Sequence, residues 1–319
     1  MPHSQTSVIV VGAAGNIGGP VTKHLLATNQ FRVSALTRTT SKSTFPEGVT
    51  AVRTDYTPES LIESFRGQDI VISTLSTSSL GDEMAIAKAA VEAGVKRFLP
   101  AELGMDTSTE LCLKISPCVF LKQDIIKYLK EHEDKISWTG VFCGLWIDFS
   151  LKTPDWPHWS LKDRTFTTFN DGNVPFETST LDTAARAIVG TILPEHIEST
   201  KNQYIHVHSA VYTPNQLFGY LKKYTNTTDA DWKIKHVDVG DMAARGQKAF
   251  GEEASSGQPP EVFTKSDKFQ GAIGDMIVAG LMGNGGVNQF GEKTGYWMGK
   301  FGIEEGDAEG IVREVVVGA

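Results

Sequence analysis

The sequence predicts an α/β protein, a doubly wound parallel sheet with a smaller, mostly helical C-terminal part. Two observations carry this. Strand-like runs alternate with helix-length segments through the first half of the 319 residues, the pattern that builds a parallel sheet covered by helices on both faces. The first run, VIVVGAAGNIG at 8–18, passes straight into Gly12, Gly15 and Gly18. There β-branched residues that favour a buried strand give way to a backbone free to turn sharply and to stand close to something bulky.

The elements follow in order. Strand-like runs lie at 7–12 (SVIVVG), 32–37 (RVSALT), 49–53 (VTAVR), 69–75 (DIVISTL), 96–100 (KRFLP) and 136–142 (ISWTGVF). The glycines precede an amphipathic helix, PVTKHLLAT. Thr57-Pro58 opens a second helix that Gly67 closes, Asp82 and Gly94 bracket DEMAIAKAAVEAG, and Ser116-Pro117 starts the next. Beyond residue 150, PDWPHW, FNDGNVPF and GEEASSGQPPE mark loops. A helix at 181–193 and a strand at 203–208 are expected to return to the main sheet, and 212–319 reads as a helical cap.

Composition narrows the function. A hydrophobic share of 40% is that of a soluble globular protein. A net charge of -8 with no basic cluster argues against nucleic acid, whose phosphates are held by grouped Lys and Arg. Cys112, Cys118 and Cys143 are odd in number and lack CxxC spacing, which argues against a disulfide framework or a structural zinc and suits a reducing compartment. The polar start MPHSQTS leaves no room for a signal peptide, and no stretch is apolar enough to span a bilayer. A cytoplasmic protein acting on a small molecule is the expectation; oligomeric state is left open.

A glycine loop between strand and helix is the pattern that binds a dinucleotide pyrophosphate, with the helix N-terminus offering free N–H groups to the anion. Gly12, Gly15, Asn16, Ile17 and Gly18 are the expected contacts, and the fold class is accordingly Rossmann-type. The second strand ends Leu36-Thr37-Arg38, with no acid to hold a ribose 2′-hydroxyl. Arg38, with Lys42, therefore reads as a clamp for the 2′-phosphate of NADPH.

Together GAAGNIG, LTR, TDYTPESL, VISTL and above all KRFLPAELG resemble the NmrA-like, isoflavone-reductase-like family of atypical short-chain dehydrogenases, over roughly residues 7–150. Family members commonly show RFLPSEFG where this chain has RFLPAELG, so Ala101 and Leu103 depart from that version. The resemblance implies that Lys122, at the start of the following helix, is the acid/base, with Lys127 the nearest counterpart of a basic residue usual in one branch. It also implies that Asp55 lies near the adenine and that Ser73, Thr74 and Leu75 flank the cofactor. Residues 1–152, rejoined by 180–208, would then bind NADPH, and 153–179 with 209–319 the substrate.

Helical spacing separates Lys122 from the other lysines of this helix. Ile125, Ile126 and Leu129 fall three, four and seven residues on, so Lys122 shares the apolar stripe that faces the sheet, while Lys127 and Lys130 project outward. Lost water on that stripe favours the neutral amine and hence proton transfer near neutral pH. Tyr296 and Lys300 match a YxxxK pair but stand in a glycine-rich C-terminal segment, where they are expected at most to line a pocket. His206 and His208 share one strand face without a third metal ligand nearby, and packing explains them more simply. Phe142 and Trp146, with Trp156 and Trp159, are candidate walls for a flat substrate, or core. The expected function is NADPH-dependent reduction of a ketone, enone or benzylic ether on an aromatic or polycyclic molecule. The alternative is a non-catalytic dinucleotide sensor that reports redox state to a protein partner.

Overall fold

The computed structural model describes residues 5–318 apart from 155, 284–286 and 292. Asp155 of the PDWPHW loop and the start of MPHSQTS thus lie outside the described residues. In chain order the strands are β1 (Thr6–Val11), β2 (Phe31–Arg38), β3 (Val49–Thr54), β4 (Ile70–Ser73), β5 (Arg97–Leu99), β6 (Ser137–Phe142), β7 (Leu145–Trp146), β8 (Thr165–Phe169), β9 (Phe176–Ser179), β10 (Gln203–His206), β11 (Ala210–Tyr212) and β12 (Lys233–Val237). The first six and β10 make one sheet, ordered β10-β6-β5-β4-β1-β2-β3, in which every neighbouring pair is parallel.

Parallel pairing requires crossovers; a loop, 39–48, joins β2 to β3, and helices supply the others: α1 (Gly18–Thr28), α2 (Pro58–Phe65), α3 (Glu83–Glu92), α4 (Glu110–Ile115) and α5 (Phe120–Glu131). Local chemistry starts them where the sequence predicts. Thr57 accepts the Ser60 N–H ahead of Pro58 at the first turn of α2. In β1 the side chains alternate between two cores. Val8 and Val10 join Val21 and Leu25 of α1, while Ile9 and Val11 join Leu61 and Phe65 of α2 and Ile125, Ile126 and Leu129 of α5. All four β1 residues are fully buried, and each such side chain contributes roughly 1.5–3 kcal/mol relative to exposure.

After β6 the chain leaves the sheet through α6 (Ile147–Lys152), returns with α7 (Leu181–Gly190) and β10, and goes on to α8 (Pro214–Thr225), α9 (Val239–Ala254), α10 (Pro260–Phe263), α11 (Asp267–Met282), α12 (Lys293–Lys300) and α13 (Ala308–Val317). β10 is parallel to β6, with Tyr204 opposite Gly140. The cap is not helices alone. A three-stranded sheet, β11-β9-β7, and a parallel pair, β12-β8, pack into a second core with Trp159, Phe166, Phe169, Phe176 and Tyr212. β12 reads KIKHV with three of five residues exposed, so it lacks the apolar alternation by which strands are recognised. No helix among the described residues is long and apolar enough to cross a membrane.

Strand order reverses between β1 and β4, and ligands of open α/β sheets bind in the crevice at the C-terminal ends of the strands flanking such a reversal. Gly12 and Thr74 follow those two strand ends directly.

Candidate active site

At the reversal the backbone is fitted to itself before it is fitted to a ligand. Gly12 has φ +83°, and a Cβ there would sit 2.8 Å from the Thr74 hydroxyl oxygen; one on Gly18 would sit 2.1 Å from the Gly12 carbonyl oxygen. Thr74 in turn donates its hydroxyl to the Val11 carbonyl at 2.7 Å. Gly12 and Gly18 are therefore glycines for chain packing. Gly15 is different: an added Cβ would meet only the Gly12 carbonyl oxygen, at 3.1 Å, and the residue itself is exposed. Helix α1, with Ile17 at its N-cap, has no side-chain cap and no acid in its first turn; Gly19 donates its N–H to the Gly15 carbonyl and Pro20 has none, so the Gly18 N–H is the first-turn donor left for an anion.

A groove of about 440 Å³ runs from this loop, lined by residues 12–17, Leu36, Thr37, Arg38, Tyr56, Thr74, Leu75, Ser76 and Trp146 together with hydroxyls of Thr40, Ser41 and Ser43. Among the described residues no Asp or Glu lines it. The Arg38 guanidinium lies 5.8 Å from the Tyr56 ring centre, and Arg53 shapes the loop beyond by donating to the carbonyls of Arg38, Thr39 and Ser41. The sequence reading passed over both Tyr56 and Arg53. Tyr56 has φ +65°, which no local pattern announces.

Several expected contacts stand elsewhere. Lys42 is exposed and outside the groove lining. Asp55 turns away, accepting the N–H and hydroxyl of Thr57 at 3.0 and 2.7 Å; these bonds hold its carboxyl below the usual range. It is a turn residue, and its neighbour Tyr56 takes the groove position. Ser73 is buried in β4 with its hydroxyl unpaired, because a strand sends alternate side chains to opposite faces. Phe142 belongs to the core, stacked 4.9 Å from Tyr204, and does not reach the cavity described next.

That cavity, about 430 Å³, adjoins the groove, and Asn16, Leu75, Ser76 and Trp146 line both. Leu80, Met105, Phe149, Trp156, Ile273, Ile277 and Leu281 give it an apolar surface. Among the described residues its two members of opposite charge are Lys122 and Glu102. The inward stripe of α5 holds as spaced: Leu121, Ile125, Ile126 and Leu129 are buried, Lys127 and Lys130 exposed, and the Lys122 side chain is 17% exposed. Its Nζ donates to the carbonyls of Ala101 at 2.5 Å and Glu102 at 2.7 Å, and lies 3.9 Å from Glu102 Oε2. The loop after β5 supplies both carbonyls; it bends at Leu103, φ +41°, whose N–H donates to Val141.

Glu102 was not among the residues singled out. Burial pushes its carboxyl up from the ordinary range, while the Lys122 charge and the Thr107 hydroxyl pull it down. Cys118 also lines the cavity, but burial pushes its thiol up to about 11 and leaves it a poor nucleophile near neutral pH.

The remaining candidates are occupied. His206 pairs with Asp106 at 2.9 Å and His208 with Glu177 at 2.8 Å. Burial raises the Asp106 carboxyl, but hydrogen bonds from His206 and Ser108 outweigh it and hold the group at about 2. Among the described residues no three of His, Cys, Asp and Glu are grouped to hold a metal. Tyr296, 61% exposed, and Lys300 sit together on α12 and line neither space. Trp159 is core, stacked on Phe166, whereas Trp146 and Trp156 are cavity walls.

Known proteins share sequence or fold with this chain. The chain is 32% identical over 236 residues to the oxidoreductase aprR of Aspergillus flavus, which covers 73% of this chain and 77% of that one. It is 32% identical over 161 residues to a phenylcoumaran benzylic ether reductase of Nicotiana tabacum, covering 47% and 52%. Among solved structures, the binary complex of leucoanthocyanidin reductase with NADPH from Vitis vinifera superimposes with a TM-score of 0.68 at 20% identity, over 98% of this chain and 99% of that one. Isoflavone reductase does so with 0.58 at 20%, over 84% and 89%; both share the fold. The model of the NmrA-like family matches residues 4–238, and the chain belongs to that family.

Proposed function

We propose that the chain is an NADPH-dependent reductase of a small aromatic molecule, in which Lys122 handles the proton. The observation that carries the reading is the position of Lys122 in an apolar, aromatic-walled cavity that shares a wall with the dinucleotide groove.

The groove fits the cofactor. Its glycine loop presents backbone and the uncapped start of α1 to a pyrophosphate, and Arg38 among hydroxyl-bearing residues, with no acid in the lining among the described residues, suits a 2′-phosphate. The relatives named above as an oxidoreductase and as a benzylic ether reductase support the reaction class. When bound, NADPH supplies a hydride. The protein's part is to orient the substrate, exclude water and manage a proton.

Two of the three ammonium protons of Lys122 are committed to the Ala101 and Glu102 carbonyls, which leaves one for a ligand. After giving it up, the amine keeps the same two bonds and turns its lone pair to where the proton was. The group can thus protonate the alkoxide that develops from a ketone, or serve a phenol when the target is an enone or a benzylic ether.

The test is incubation with NADPH and a pool of aromatic ketones, enones and phenolic ethers, read by mass spectrometry. A gain of two hydrogens by one component, with NADPH consumed, is expected. Tight NADPH binding with no turnover across the pool would instead support the sensor.

A further inference from the structure

Among the described residues, Glu102 is the charged group at the cavity that this chemistry leaves idle. Its side chain is 1% exposed, and its Oε2 accepts the Thr107 hydroxyl at 2.5 Å; Thr107, like Lys122, lines the cavity. The surrounding elements bring further acids, and the bases near them are already paired. Glu83 from α3 and Asp106 from the same loop raise the Glu102 carboxyl electrostatically, and Tyr204 from β10 packs nearby. Asp106 already has His206 and Lys293 at 2.9 and 3.3 Å, and Glu83 accepts the Ala101 N–H with its second oxygen unpaired. Lys122 is therefore the cation that compensates Glu102.

A ligand whose hydroxyl ionises beside Lys122 claims that same ammonium. One buried cation does not sustain two neighbouring anions, so one of them takes up a proton. We propose that Glu102 is the acceptor of the substrate's hydroxyl proton, relayed by the Thr107 hydroxyl, so that an acidic aromatic hydroxyl binds as its anion against Lys122. The ligand O–H bond breaks, Thr107 takes that proton and passes its own to Glu102 Oε2, and a carboxylic O–H forms. Lys122 stays an ammonium throughout, and the site's net charge is unchanged. Burial of Glu102, which favours its neutral form, is consistent with this role. The inference rests on the cavity being the substrate site, and it moves the destination of a phenolic proton from Lys122 to Glu102.

The experiment uses the whole protein saturated with NADP⁺, which has no hydride to deliver, and 4-nitrophenol as probe. It is run about one unit below the probe's own ionisation, where only about a tenth of the free probe is the coloured anion. The expected result is that bound probe shows the anion's absorbance while calorimetry in two buffers of different ionisation enthalpy finds no proton released. In Glu102→Gln the bound probe stays neutral or releases one proton per site to the buffer; Glu102→Asp retains the unmodified protein's behaviour. A proton released by the unmodified protein, a neutral bound probe, or a Gln variant indistinguishable from it overturns the proposal and leaves the cavity reading standing. If the Gln variant does not fold, the unmodified protein's proton count decides. Failure of the probe to bind at all overturns both.

Discussion

The groove and the cavity share four wall residues but are written in the sequence in different ways. The groove's key parts lie in a few consecutive stretches, 12–17, 36–45 and 74–76, each set by backbone demands that a glycine or a strand end must meet. The cavity is assembled from the loop after β5, from α5, from the segment 144–156 and from α11, which are brought together by packing alone. The groove thus depends on a few backbone positions, whereas the cavity depends on side chains from four parts of the chain, of which Met105, Leu145 and Leu281 also belong to the second core.

Substitutions that strike one region and spare the other test the contrast. Lys122→Met removes the transferable proton and keeps the stem. It should slow hydride transfer in single turnover by roughly a hundredfold or more with NADPH affinity near normal. If both fall together, the two regions are not separable at Lys122. Gly15→Val is the converse: a branched side chain where a pyrophosphate meets backbone should weaken NADPH by about tenfold or more. Because Gly15 is exposed, the melting temperature should hold. Unchanged affinity in the folded variant would reduce all three glycines to turn-formers.

Arg38→Asp sharpens the picture within the groove. Loss of a charge-assisted contact and an added repulsion should shift the preference from NADPH toward NADH by about tenfold, measured as the ratio of the two dissociation constants. Equal affinity for both cofactors in the unmodified protein would overturn the assignment. A last effect, on stability alone, lies behind the cavity at Asp106. Its carboxyl is held at about 2 in the folded chain, below an unfolded value near 4, so its contribution to stability is present above about pH 4 and is lost as pH falls toward 2. That contribution is about 2 kcal/mol. Asp106→Asn should flatten acid unfolding over that window, as followed by circular dichroism; an unaltered acid transition would assign the pair no such role.

How far the sequence could be read tracks the same division. The alternation that gives the parallel sheet, the caps at Thr57 and the inward stripe of Lys122 are local patterns, and each is present where its residues predict it. Asp55 misleads because an acid before Thr-Pro is equally a turn residue, and only the φ of Tyr56 decides which neighbour faces the groove. Phe142 and Trp146 are four residues apart, yet one is core and the other a wall; the break between β6 and β7 separates them. Glu102 and Thr107 could be read as chemistry only once α5 had set Lys122 beside them, across 20 and 15 positions in the chain. β12 has no apolar periodicity, since its partner β8 rather than its own composition makes it a strand.

The last strand to enter the main sheet, β10, pairs with β6 from more than sixty residues away, and this bears on how the chain reaches its native state. While the chain emerges from the ribosome, the glycine loop and five crossovers are complete long before residue 203, yet Thr139–Phe142, all buried in the finished protein, wait as an uncovered sheet edge. Such an edge invites pairing with another chain. A shortened protein ending at 152 would retain every residue of the dinucleotide loop and still be prone to associate edge to edge, so the segment that closes the sheet also protects it from its own copies.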